Sequence, residues 1–132
     1  MLHHISLGVA DIERAATFYD AALAPLGYVR VWEDLSPGDD DQAVGYGVTG
    51  GGDKLAIKLR AEGQRPPGPG FHLAFTAPDR QAVAAFHKAA LAHGGTDNGG
   101  PGLRLHYGPN YFAAFVVDPD GHNIEAVFNE AV

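Results

Sequence analysis

A fixed internal offset constrains this chain more than any other feature. His4-Ile-Ser-Leu-Gly-Val-Ala-Asp11 lies without a gap over His72-Leu-Ala-Phe-Thr-Ala-Pro-Asp79, 68 residues further on. The same offset sets Phe18 on Phe86, Ala21 to Ala24 on the Ala89 to Ala92 stretch, and Gly27 on Gly95. Short alanine runs coincide by chance; a His, an Asp, a Phe and a Gly held at one offset do not. The chain reads as a duplicated unit, and such a repeat must be recognised before any fold is proposed.

Each copy has the same physical pattern. Ile5, Leu7 and Val9 alternate with His4, Ser6 and Gly8, a period of two that marks a half-buried strand. Asp11 stands where a helix N-cap belongs, Ile12, Ala16, Tyr19, Leu23 and Leu26 form one stripe, and Gly27 ends the helix. In the second copy Phe71, Leu73 and Phe75 alternate with His72, Ala74 and Thr76. Asp79 is the cap, Val83, Phe86 and Ala90 form the stripe, and Gly94-Gly95 stop it. Strand-like runs follow each helix: Tyr28 to Trp32, Ala43 to Val48 and Leu55 to Leu59, then Leu103 to Tyr107, Tyr111 to Val117 and Asn123 to Phe128. Asp118-Pro119-Asp120-Gly121 is a strong turn signal between the last two. The expected fold class is α+β, two βαβββ modules over residues 1–60 and 71–132. A Pro/Gly linker at 61–70 joins them, and 132 residues suit one compact domain.

Composition narrows the function by exclusion. A formal charge of -7, with 9 Lys plus Arg against 16 Asp plus Glu, leaves no basic patch for nucleic acid or an anionic membrane. Without cysteine there is no disulfide, thiolate nucleophile or Cys-based metal site. No apolar run approaches the roughly 20 residues that span a bilayer, and the first residues lack a signal-peptide pattern, so cytoplasmic residence is expected. Gly45-Tyr-Gly47-Val-Thr-Gly50 fits G-x-G-x-x-G but precedes a strand, so no helix N-terminus awaits a pyrophosphate. Asp39 to Asp41 begins like a calcium loop, yet Ala43 and Val44 fall where a ligand and a glycine are needed.

The chemistry-bearing candidates lie on the strands. His4 and His72 are equivalent by repeat and by face, and a pseudo-two-fold axis between the copies would bring them together. Alternation buries Ile124, Ala126 and Phe128 and turns Glu125 to the histidines' face. A carboxylate on an otherwise apolar strand is costly unless paired or ligated. Two imidazoles and a carboxylate with open positions suit a divalent metal such as Fe, Mn, Co or Ni, and Zn less specifically. His3 shares a face with Ile5 and Leu7 and reads as a rim residue. Tyr107, Tyr111 and Phe112 are candidates for substrate binding, against a competing reading as strand-end packing. His87, His93 and His122 read as solvent-facing. No catalytic base can be named.

These residues resemble the vicinal-oxygen-chelate superfamily, which includes glyoxalase I, extradiol dioxygenases and bleomycin resistance proteins. The matching stretches are Leu2 to Arg14 with Phe18-Tyr19, the strand Phe71 to Phe75, and Asp118-Pro-Asp-Gly-His-Asn-Ile-Glu125-Ala. The resemblance implies a curved mixed sheet around a central cup, with a metal held there by His4, His72 and Glu125. It further implies a metal-dependent lyase, isomerase or dioxygenase binding a small substrate through vicinal oxygens, and a homodimer that can exchange modules between chains. Its non-catalytic alternative is a small-molecule-binding protein like the bleomycin-resistance proteins. One departure matters: glyoxalase I carries a fourth ligand on the last strand of the first module. Strict offset maps Glu125 to Ile57 and face-matching maps it to Ala56, and neither can ligate. The three-ligand set is closer to the extradiol dioxygenases, and the chain is not expected to be an efficient glyoxalase I.

Overall fold

The computed structural model describes residues 1–63 and 66–132, so the linker reading at 61–70 falls partly outside the described residues. In the first half β1 (Ile5–Val9) leads into α1 (Ile12–Leu23), and β2 (Val29–Asp34), β3 (Ala43–Gly47) and β4 (Leu55–Leu59) follow. The second half runs β5 (Leu73–Thr76), α2 (Arg80–Ala92), β6 (Thr96–Asp97), β7 (Gly102–Leu103), β8 (Tyr111–Val117) and β9 (Asn123–Asn129). Two mixed sheets result, ordered β1-β4-β3-β2 and β5-β9-β8-β6, with β7 also on β8 and no closed barrel.

The repeat is visible in the local chemistry. Oδ1 of Asp11 accepts from the Arg14 amide at 3.1 Å, and that of Asp79 from the Ala82 amide at 2.7 Å, so both helices start at the expected caps. α1 passes into a short 3₁₀ turn that Gly27 closes at φ 91°, a left-handed conformation costly for any side chain. The expected stripes are buried: Ile12, Ala16, Tyr19, Leu23 and Leu26 on one side, Val83, Phe86 and Ala90 on the other. Each fully buried large apolar side chain contributes roughly 1.5–3 kcal/mol.

The two halves are joined through the helices and one turn. Phe18 packs so close to Gly95 that a Cβ there would stand 2.7 Å from its ring. Tyr19 donates its hydroxyl to Asp118 Oδ2 at 2.5 Å, across 99 residues of sequence. Burial drives the Asp118 carboxyl above its ordinary range, opposed by the Tyr19 hydroxyl and the backbone N–H of His122. Asp118 Oδ1 accepts from the amides of Asp120 and His122, which shapes the β8–β9 turn. Asp120 in turn accepts from the Ala10 amide and the Arg14 guanidinium.

Two expectations are corrected. His122 does not face solvent: it is 1% exposed, and its Nε2–H donates to the Gly8 carbonyl at 2.8 Å. Turn residues are ordinarily exposed, but this turn docks on the other half. The Leu103 to Tyr107 run is not a full strand either. Gly102–Leu103 pairs with β8 and the Arg104 amide still bonds the Tyr111 carbonyl, after which Tyr107 N bonds Arg104 O and Gly108 N bonds Leu105 O. The Arg104 guanidinium holds that bend, donating to the carbonyls of Gly100 and Gly102.

Candidate functional site

β9 aims Glu125 at the open face of the second sheet. Its register sets Glu125 beside Ala74 of β5 and Phe115 of β8, so all three side chains share that face. Ile124 and Ala126, pointing the other way, are buried in the core. Glu125 is itself only 1% exposed. A buried carboxylate requires partners, and it has two: Tyr111 donates its hydroxyl to Oε2 at 2.5 Å, and His72 Nε2 lies 3.2 Å from Oε1. Burial, followed by the hydrogen bond to the carboxylate, pushes the Tyr111 phenol up to about 12, so it remains a donor at neutral pH.

These groups line a cavity of about 340 Å³, walled by Phe71, Tyr107, Tyr111 and Phe115 with polar Asn98 and Asn123. Tyr107 is exposed at the mouth, its ring between those of His106 and Tyr111 at centroid distances of 4.1 and 5.2 Å. Tyr107 and Tyr111 thus stand where the sequence places them. Phe112 does not line this cavity: alternation along β8 turns it to the core side, where it lies beneath the Arg80 guanidinium. Phe71, Phe115, Asn98 and Asn123 were not anticipated. Phe115 was findable, because it shares β8's open face with Tyr111 by the period of two.

His72 and Glu125 would supply two of the ligands that a divalent metal needs. Two ligand atoms at about 2.1 Å from an ion, at right angles, stand about 3 Å apart. His72 Nε2 and Glu125 Oε1 are at 3.2 Å. Tyr111 occupies the carboxylate's second oxygen, a contact that fixes the orientation of Glu125.

His4 is not beside this pair within one chain. The end of β1 meets His122, just ahead of β9, through the Gly8 carbonyl, and β9 runs parallel to β5; the start of β1 borders a cavity lined by Leu73 to Thr76 along β5. β1 and β5 therefore run past each other in opposite directions. Among the described residues, His4 does not join His72 and Glu125 in one cluster of potential ligand atoms. The strand register also resolves the missing fourth position. Ala56 pairs with Ser6 just as Glu125 pairs with Ala74, and Ser6 and Ala74 are equivalent in the repeat. Ala56, not Ile57, is the counterpart of Glu125. Its register neighbours, Ser6 and Gly45, carry no acid: Trp32 lies over Gly45, where a Cβ would stand 2.3 Å from the indole nitrogen. His4 instead has His3 and Asp53 as neighbours, with one potential ligand atom of each within 4.8 Å of the others.

Comparison with known proteins places this geometry in context. The profile of the Glyoxalase/Bleomycin resistance protein/Dioxygenase superfamily matches residues 1–126. A glyoxalase/bleomycin resistance protein from Albidiferax ferrireducens is 31% identical, covering 96% of this chain and 97% of its own, at a TM-score of 0.77. A glyoxalase-related enzyme from Fulvimarina pelagi is 26% identical, covering 98% and 88%, at 0.72. A glyoxalase I variant from Zea mays shares the fold, at 24% identity and a TM-score of 0.74, over 96% of this chain and 46% of its own. No curated protein sequence gives a significant match.

Proposed function

Because the chain belongs to the Glyoxalase/Bleomycin resistance protein/Dioxygenase superfamily, we propose that it is a metal-dependent enzyme for a small substrate with vicinal oxygens. Its centre is shared between two copies: His72 and Glu125 come from one and His4 from the other. The observation that carries this reading is Glu125, a carboxylate 1% exposed yet opening on a cavity with an imidazole 3.2 Å away. Both of its oxygens have partners, Tyr111 and His72, so what supports the reading is that the pair opens on a cavity. The apolar side chains exposed on the two open faces, Trp32 over Gly45 on the first half and Tyr107 at the cavity of the second, favour coverage by a second copy.

A divalent metal held by these ligands supplies Lewis acidity to polarise a substrate oxygen and stabilise enolate- or alkoxide-like charge. The chain's own groups do the rest. Tyr111 holds the Glu125 carboxylate by Oε2 and lines the cavity beside it. Tyr107, Phe71 and Phe115 exclude water and take the apolar body of the substrate, while Asn98 and Asn123 offer amides to its oxygens. This supports lyase, isomerase or ring-cleaving dioxygenase chemistry.

The test is complementation between defective chains, performed in an Asp53→Asn background so that the cluster around His4 does not contribute. His4→Ala and Glu125→Ala chains should each hold no stoichiometric Co(II) or Ni(II). Mixed and allowed to exchange, they rebuild one intact centre per heterodimer, because one retains His72 with Glu125 and the other retains His4. A mixture that stays metal-free refutes a shared centre.

A further inference from the structure

The first half has a donor set of its own that the shared centre does not explain. His3 and His4, just ahead of β1, stand edge to face with ring centroids 5.0 Å apart and an interplanar angle of 80°. Their Nδ1 atoms are 2.8 Å apart. The Ile5 amide donates to the Lys54 carbonyl at 3.0 Å, tying the start of β1 to the residue after Asp53. This tether holds the Asp53 carboxylate next to the two rings. One nitrogen from each imidazole and one carboxylate oxygen lie within 4.8 Å of one another, and no other three His, Asp or Glu residues among the described residues are so placed.

The chemistry of the set is specific. Two imidazoles and one carboxylate match borderline divalent metals such as Zn, Co, Ni and Fe(II), whereas Ca and Mg prefer oxygen throughout. Bonds of about 2.0–2.2 Å draw ligand atoms to within roughly 3–4 Å of one another, and exposed His3 and His4 rings reach that by small rotations. Asp53 is half-buried and its backbone is fixed by the strand that follows, so the carboxylate is the anchor. The cavity at His3 and His4, about 240 Å³, leaves space for water or a ligand atom at the remaining positions.

We propose that His3, His4 and Asp53 form a transition-metal site complete within a single chain. It needs neither His72 nor Glu125, and it shares only His4 with the centre between copies. Metal in one arrangement therefore excludes His4 from the other.

The experiment uses the full chain, without a tag, carrying His72→Ala and Glu125→Gln. Co(II) titration followed by visible absorption should give one ion per chain, with an affinity that does not change on dilution. Adding His3→Ala or Asp53→Asn should weaken binding at least about tenfold, since even outer contacts to a ligand cost ~10–100-fold. Paramagnetic broadening in proton–nitrogen spectra should centre on residues 2–6 and 51–55. Absence of Co(II) binding in the starting variant overturns the proposal, as does binding that survives both added substitutions, or broadening centred elsewhere. The complementation experiment lacks Asp53 altogether, so the shared centre stands or falls separately.

Discussion

Glu125 and Asp118 are both buried carboxylates that accept a tyrosine hydroxyl at 2.5 Å, and they do opposite things with it. Tyr111 steadies an acid that opens on a cavity; Tyr19 closes a turn against the neighbouring half. Tyr111→Phe should leave the fold intact but cost ~10–100-fold in metal affinity at the shared centre, measured by calorimetry in the Asp53→Asn background. Tyr19→Phe strands a buried oxygen and should cost about 1–3 kcal/mol in urea unfolding. Asp118 also gives stability a sign with pH. Its carboxyl is raised in the folded state, so the fold binds that proton more tightly, and ionising it costs stability as pH rises from 3.8 through the raised value. Asp118→Asn cannot ionise. It should therefore compare less favourably with the parent at pH 4 than at pH 7, and the reverse order would contradict the burial argument.

At the level of elements, what was legible in the sequence was whatever repeats over a short distance. The alternation in β1, β5 and β9 and the stripes on α1 and α2 are local, so caps, faces and most strands could be read directly. β6 and β7, at two residues each, are too short to carry a period. The burial of His122 depends on the Gly8 carbonyl 114 residues away, which no local pattern records. Duplication likewise made His4 and His72 equivalent without making them adjacent; equivalence is a property of sequence, and proximity depends on how β1 and β5 pass. One strand contact has a convenient readout. Gly45 on β3 leaves room for the indole of Trp32 on β2, the sole tryptophan. Gly45→Ala forces the ring outward and should red-shift its fluorescence, with a loss of about 1–3 kcal/mol from overpacking. Unchanged emission would mean the indole is not seated there.

For the whole molecule, Ala56 as the counterpart of Glu125 has a catalytic consequence. Shifting a proton between adjacent carbons of a glutathione hemithioacetal calls for a base on each side of the metal, and the first sheet offers none at that position. A missing general base typically costs ~10²–10⁴-fold. Protein reconstituted separately with Zn, Ni, Co and Mn should turn over methylglyoxal plus glutathione well below the ~10⁴ M⁻¹s⁻¹ at the low end of ordinary enzymes. The opposed run of β1 and β5 has a different consequence, one of mass action. In the proposed shared centre, His4 of one copy must meet His72 and Glu125 of another, so association is what completes it. Metal uptake at the shared centre then becomes a function of protein dilution: each ion captured favours association, and each dissociation releases ions. The local cluster at His3, His4 and Asp53 competes for the same His4 within one chain. Dilution at constant free metal would thus move ions from one population to the other, the shared one falling with chain concentration and the local one rising.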